Sequence, residues 1–402
     1  MLVSGTPDMS RAQLLEQLDV LLSESREAAV RREKSAFDEA AHPFGERLVL
    51  FGAGGLGRKT LEGLRQVGIE PLSFSDNDAK LWGREVDGLT VLSPADAAAK
   101  YGKSAAFLLT IWRAQGTDRM RERIARVRSF GVERVIPFAP LFWKYPDAFL
   151  PHYLMELPHR VIDQAGDVRA AAALWHDGAS RNEFLAQVRW RLRLDFDGLP
   201  DPVAHELYFP DDLFRFSAEE NFVDCGAYDG DTIRSSLKRQ PEFRGHIAAF
   251  EPDPSNFRRL QAYVASLPEA IGSRIETYPY AVSSSRKIVH FDATGGADAA
   301  VGTGDLEIEA VALDEVLAGQ SPTYLKMDTE GSEPAGVTGA KNIIQRHAPA
   351  LALSIYHRQN HIWSVPNLVK ELNPDYRFFL RPHVLEGWDT VCYAVPPARL
   401  RA

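Results

Sequence analysis

Cysteine is nearly absent from this chain: only Cys225 and Cys392 occur among 402 residues. Both fall inside predicted strands, so two buried reduced thiols are expected rather than a disulfide framework or a cysteine metal site. Long apolar runs are missing too. No stretch reaches the ~18 residues needed to span a membrane, and Met1 to Ser10 is polar, without a signal-peptide pattern. A cytoplasmic protein with no membrane span is the expectation. A basic surplus is also lacking, since 46 Lys and Arg face 55 Asp and Glu for a net charge of −9. Phosphate backbones are held by basic faces, so nucleic acid is not expected as a partner. With 45% apolar residues the chain can build ordinary globular cores, and its length suggests two domains.

What is present is led by NFVDCGAYDGDT, Asn221 to Thr232. An apolar run ends in Asp224 and passes into a turn containing Gly226, Ala227, Tyr228 and Gly230, followed by a helix-like stretch from Thr232 to Arg239. Glycines between strand and helix let a ligand approach the backbone. An acid at the strand end disfavours pyrophosphate, because like charges would meet in a half-buried crevice. A nucleoside carrying positive charge suits the turn better, and S-adenosylmethionine is one. A second run, His246 to Phe250, ends in Glu251-Pro252-Asp253-Pro254. A carboxylate roughly 20 residues past a glycine turn is placed to hold ribose hydroxyls. Further runs are Ile275 to Val282, Thr323 to Met327 (ending in Asp328-Thr329-Glu330), and Ala350 to Tyr356 (ending in His357). In open α/β sheets the ligand crevice lies at the carboxyl ends of strands, so these acids and His357 should converge. Tyr376 to Leu380 and Thr390 to Val395 are too close for a crossover helix and predict an antiparallel hairpin.

These motifs carry a resemblance. FVDCGAYDGDT, AFEPDPSNF, YAVS, YLKMDTEGSE with Gly339 and Ala340 after it, and SIYH followed by Trp363 make residues from about Leu207 to Pro396 resemble the FkbM family of S-adenosylmethionine-dependent methyltransferases. The resemblance implies a class I, Rossmann-like α/β sheet with a C-terminal antiparallel hairpin. It implies methylation of a hydroxyl on a sugar, glycan or related natural product, with a small-molecule or nucleotide-linked sugar acceptor. The cofactor set it implies is Asp224, Gly226, Ala227, Tyr228, Gly230, Thr232, Glu251, Pro252, Asp253, Ala281 and Val282. The chain departs from the commonest methyltransferase turn, which has glycine at alternate positions, by placing Tyr228 and Asp229 in its middle.

The rest divides around that unit. Residues 1–45 form a helical segment in which Ser10 and Gln13 signal a capping box and Ser10 to Lys34 reads as one amphipathic helix. Residues 46–145 read as a smaller doubly wound α/β domain, 146–206 as a helical linker (Val161 to Leu194), and 207–398 as the methyltransferase unit. Leu48 to Phe51 leads into Gly52, Gly54 and Gly57 in G-x-G-x-x-G spacing, with Asp76 about 20 residues on, matching a dinucleotide fingerprint. Two readings stand: a nucleotide-type site with phosphates on the helix N-terminus, or glycines that merely allow tight strand–helix packing in an acceptor-recognition domain. A nicotinamide-dependent oxidoreductase using this loop, or a non-catalytic nucleotide- or glycan-binding protein, are the alternative functions.

Methyl transfer to oxygen needs an in-line approach and a group that takes the hydroxyl proton. Asp328, Glu330 and His357 are the catalytic candidates, with the base among them left open. Asp328, Glu330 and Glu333 could form a metal cluster, since their spacing gathers carboxylates near a helix start; dipoles alone also favour acids there, and the expected site includes no metal. Lys326 either neutralises these acids or contacts substrate. His361 and Trp363 offer sugar stacking or plain packing. The arginines at 119, 121, 123, 126 and 128 read as a solvated helix face. Acceptor specificity is assigned to loops such as Thr294 to Asp305.

Overall fold

The computed structural model describes residues 9–113, 116–293, 300–301 and 304–401. The polar start Met1 to Ser10 and the loop Thr294 to Asp305 lie largely outside the described residues. In the N-terminal half the strands are β1 (Leu48–Phe51), β2 (Ser73–Ser75), β3 (Glu85–Val86), β4 (Leu89–Leu92), β5 (Ala106–Leu109) and β6 (Arg134–Pro137). They form one sheet in the order β3-β4-β2-β1-β5-β6. All pairs are parallel except β3–β4, a hairpin that turns through Asp87-Gly88, both at positive φ. That hairpin and the helix Pro94–Tyr101 after it are not anticipated by the sequence reading. β1 is buried along its whole length, as a run of Leu, Val, Leu and Phe covered on both faces should be.

The C-terminal half continues with β7 (Asn221–Cys225), β8 (His246–Phe250), β9 (Ile275–Tyr278), β10 (Ala281–Val282), β11 (Lys287–Asp292), β12 (Ala300–Val301), β13 (Leu306–Val311), β14 (Tyr324–Met327), β15 (Ala350–Ser354), β16 (Arg377–Pro382) and β17 (Thr390–Val395). Seven of them make the larger sheet, β16-β17-β15-β14-β7-β8-β9. β17 runs antiparallel to both neighbours, so the hairpin inserts one reversed strand into a parallel sheet. β10, β13, β11 and β12 form a separate four-stranded sheet. The expected single run Ile275 to Val282 is therefore two strands in two sheets. It breaks at Pro279, whose ring nitrogen cannot donate to a ladder.

Two other expectations change. Ser10 to Lys34 is not one helix but two, Arg11–Leu21 and Arg26–Ala41. The Ser10–Gln13 capping box forms, and Ser25 starts the second helix by accepting from the Ala28 amide at 3.2 Å. The linker comprises four helices, Pro146–Phe149, His159–Asp163, Ala165–Ala172 and Gly178–Arg193. The last of these joins the halves: Trp190 sits in the core of the first sheet, whereas Phe184, Leu185 and Val188 sit in the core of the second.

The arginine run is only partly a solvated face. Arg119 and Arg123 are buried. Arg123 Nη2 lies 2.7 Å from Glu386 Oε2, in the loop between β16 and β17. Beside this pair, Trp112 packs on Trp388 with ring centroids 4.7 Å apart. The two halves thus meet at the hairpin loop. Both cysteines are free and buried, and no helix among the described residues is long and apolar enough to cross a membrane.

Candidate active site

The first strand of the larger sheet, β7, has β8 on one side and β14 on the other. Chain connections leave β7 in opposite directions at this point, which opens a crevice at the carboxyl ends. A cavity of about 570 Å³ occupies it. Its wall follows the strand order. Glu251 and Pro252 come from the end of β8, Gly226 and Tyr228 from β7, Lys326, Asp328 and Glu330 from β14, Tyr356 from β15, and Trp388 and Asp389 from the start of β17. At ~4.8 Å per strand these groups spread over roughly 19 Å.

Of the residues expected at the cofactor, Gly226, Tyr228, Thr232, Glu251, Pro252, Ala281 and Val282 line the cavity. Asp224, Ala227, Gly230 and Asp253 do not. Asp224 is fully buried and pairs with Lys326, Nζ to Oδ1 at 3.1 Å, across the β7–β14 ladder. Burial pushes its pKa up to about 6 against the pull of Lys326, so the ion pair neutralises the strand tip instead of presenting an acid to ligand. Lys326 also donates to the Gly226 carbonyl at 2.6 Å. Asp253 caps the helix Pro254–Ala265, accepting from Ser255 and Asn256 amides at 2.8 and 3.0 Å. Ala227 is core, and Gly230 opens the helix Asp231–Arg239 at φ +87.

Glu251 is different. Its two oxygens accept from the Tyr228 and Asp253 amides at 2.8 and 2.9 Å. A carboxylate has about four lone-pair sites, so two remain for a ligand. Burial raises its pKa to about 7, against these two hydrogen bonds. Gly226 sits at φ +81, and a Cβ there would lie 1.8 Å from the Asp328 carbonyl oxygen. Only glycine lets the turn pass the end of β14 this closely.

The catalytic candidates do come together. Asp328 and Glu330 line the cavity; His357 lies behind them, fully buried. Its Nε2 is 3.3 Å from Asp328 Oδ1 and 3.4 Å from Glu330 Oε1, and its Nδ1 is 2.9 Å from Glu333 Oε1. Burial pushes the imidazole pKa down, but Glu333 and Glu330 outweigh it and hold the value well above the ordinary one. For Glu333 burial raises the pKa, and His357 pulls it well below the ordinary value. Tyr208 donates to Asp328 Oδ2 at 2.7 Å. His361 holds the other Glu333 oxygen at 3.1 Å, and Trp363 is buried with its indole N–H on Gln164. Neither is a stacking platform.

The sequence reading misses the aromatic end of the cavity: Tyr153, Tyr208, Tyr356 and Trp388. Only Tyr356, inside SIYH, belonged to a recognised motif. Nine non-glycine residues among those described have positive φ, and five of them (Tyr153, Tyr208, Tyr228, Glu330 and Asp389) line this one cavity. Such conformations cost of order 1–3 kcal/mol each and gather where function over-determines them.

At the first glycine loop, Gly57 packs against β1's end, where a Cβ would be 1.9 Å from the Gly52 carbonyl oxygen. Asp76 Oδ2 accepts from the Ala53 amide at 2.7 Å. Asp76 Oδ1 accepts from the Asp78 amide at 2.8 Å, the pattern also found at Glu251, so two lone-pair sites remain on this carboxylate as well. Gly54 is the N-cap of the helix Gly55–Gln66 and has open space around it.

Residues 224–383 match the family model described as the Methyltransferase FkbM domain. Among solved structures, the methyltransferase FkbM of Methylobacillus flagellatus KT is 23% identical, with a TM-score of 0.74 over 95% of this chain and 98% of that one. At that identity the likeness establishes the fold, and it extends over both halves. The precorrin-6y C5,15-methyltransferase of Geobacter metallireducens GS-15 is 10% identical with a TM-score of 0.30, over 46% of this chain and 83% of that one, too low to add to the fold assignment. No curated protein matches the sequence.

Proposed function

We propose that this chain, whose residues 224–383 are an FkbM methyltransferase domain, methylates a hydroxyl oxygen of a sugar, glycan or related natural product with S-adenosylmethionine as donor. The observation that carries this reading is the order of groups along the cavity. A ribose-sized acceptor of hydrogen bonds, Glu251, stands at one end, carboxylates in the middle, and aromatic rings at the other. The residues fit the donor. Glu251 retains two lone-pair directions for two ribose hydroxyls, Gly226 allows close approach, and among the described residues that line the cavity the one cation, Lys326, is paired with Asp224. When bound, the donor supplies an electrophilic methyl group on a sulfonium centre.

The chain's own groups do the rest. Holding donor and acceptor near 3 Å supplies much of the rate. Glu330 takes the hydroxyl proton: it lines the cavity and faces His357 through Oε1 at 3.4 Å. Asp328 is already committed to Tyr208 through one oxygen and faces His357 with the other. His357 does not reach the cavity, so it positions the two acids. Tyr153, Tyr356 and Trp388 give flat apolar faces that suit the C–H face of a pyranose. Residues 46–145 and their exit segment, which delivers Tyr153, recognise the acceptor, and the glycines at 52 and 57 serve packing.

Calorimetry of the whole chain with S-adenosylhomocysteine, NAD and UDP-sugars tests the reading. S-adenosylhomocysteine binds at micromolar affinity, and Glu251→Ala weakens it at least thirtyfold. NAD binding with no S-adenosylhomocysteine binding would replace methyl transfer with the oxidoreductase.

A further inference from the structure

We propose that Asp328, Glu330 and His357 hold a divalent cation of the Mn²⁺ or Mg²⁺ class, and that this cation receives the acceptor's hydroxyl oxygen. The inference rests on the methyl-transfer reading and deepens it, because it names what grips the acceptor: a substrate with a hydroxyl and a neighbouring oxygen able to chelate.

The three ligand atoms lie within 4.8 Å of one another. A cluster of acids alone would mean little. The decisive atom is His357 Nε2, fully buried, without a hydrogen-bond partner, and aimed between the two carboxylates. Asp328 Oδ1, which faces it, also lacks a hydrogen-bond partner. Glu333 Oε1 can only accept, so Nδ1 carries the ring proton towards it at 2.9 Å. A cation that displaces the Nε2 proton would then meet a lone pair directed between the two acids. A carboxylate behind the far ring nitrogen is the usual orientation device for a metal-bound imidazole. His361 Nδ1 lies 3.1 Å from the other Glu333 oxygen.

Distances separate this from a simple ion pair. An imidazolium between carboxylates draws in to about 2.7–2.9 Å, whereas Nε2 stands off at 3.3 and 3.4 Å. Bonds of roughly 2.1–2.3 Å at right angles put neighbouring ligands roughly 3.0–3.3 Å apart. Two carboxylates and one imidazole suit a hard to borderline dication, and the missing sulfur ligand disfavours softer ones. Asp328 and Glu330 line the cavity while His357 lies behind, so the vacant coordination positions face the acceptor. Glu330 is held there at φ +50.

In the transfer step the acceptor oxygen forms its bond to the methyl carbon. The C–S bond breaks with its electron pair to sulfur, leaving a neutral thioether. The hydroxyl proton passes to the second carboxylate oxygen of Glu330. The cation lowers the hydroxyl's pKa and fixes its position.

The test uses the full chain, treated with chelator and titrated with Mn²⁺ under electron paramagnetic resonance, with S-adenosylhomocysteine calorimetry on the same samples. Wild type takes up one Mn²⁺ per chain; Glu330→Gln and Asp328→Asn weaken uptake at least tenfold at unchanged thermal melting. No Mn²⁺ uptake by wild type that binds S-adenosylhomocysteine overturns the cation site alone. Equal uptake by wild type and both variants places any cation elsewhere and overturns it too. Uptake of Mn²⁺ without S-adenosylhomocysteine binding supports the cation site and overturns methyl transfer.

Discussion

Protonating Glu251 should switch off nucleoside binding in a pH range where the protein stays folded. Its carboxylate already accepts two backbone amides, and burial raises its pKa to about 7. Only the ionised form offers both remaining lone pairs to ribose hydroxyls. Between pH 8 and pH 6 the ionised share falls from roughly nine-tenths to one-tenth, so affinity for S-adenosylhomocysteine drops about tenfold, equal to ~1.4 kcal/mol. The stability effect of the same group has the opposite sign. Its folded pKa lies above the ordinary value of 4.5, so its contribution is complete below pH 4.5 and lost as pH rises through 7. The ligand-free protein gains from Glu251 on acidification while the complex loses affinity, and that divergence excludes partial unfolding as the cause. Calorimetry across pH 5.5 to 8.5, paired with thermal melting, reads both trends. Affinity that is flat across this range, or that Glu251→Gln leaves pH-dependent, would refute the placement of the ribose at Glu251.

Gly226→Ala drives a Cβ to 1.8 Å from the Asp328 carbonyl oxygen at φ +81; it should cost roughly 2–4 kcal/mol in denaturant melts and abolish S-adenosylhomocysteine binding. Arg123→Met strands the Glu386 carboxylate, 2% exposed, without its partner. A loss of about 3–5 kcal/mol is expected, largely recovered in the double variant with Glu386→Gln; a single-variant loss below about 1 kcal/mol would show the pair to be solvated. Tyr208→Phe removes the donor to Asp328 and should lower kcat about tenfold, the rate equivalent of ~1.5 kcal/mol, with KM for S-adenosylmethionine unchanged. An unchanged kcat would remove Asp328 from the reacting centre.

How much of this was legible in the chain depends on range. The strands β7, β8, β14 and β15 announce themselves as apolar runs ending in Asp, Glu or His, and their tips do converge because a parallel sheet aligns its carboxyl ends. The hairpin β16–β17 follows from its short loop. What failed was direction. Asp224 reads as a ligand contact because it ends a strand, yet β14 places Lys326 opposite it in register, and that pairing is set by a residue about a hundred positions away. The same range problem hid Arg119 and Arg123, whose partners lie in later loops. His357 does stand beside the acids, but its burial behind them depends on how the helix Glu333–Gly339 packs. Tyr153 and Trp388 sit in loops without motif or periodicity, so their meeting at 4.8 Å left no local signature.

The helix Gly178–Arg193 has a consequence for how the chain can be cut. Leu14, Leu18 and Leu22 join Val161, Val168, Phe184, Leu185 and Val188 under the sheet of the catalytic half. Excising that half at the start of its motifs would uncover β16 and the helix His361–Leu372, against which these helices pack, and leave oily side chains facing water. The segment that looks like a spacer is one part of the wall of the catalytic layer.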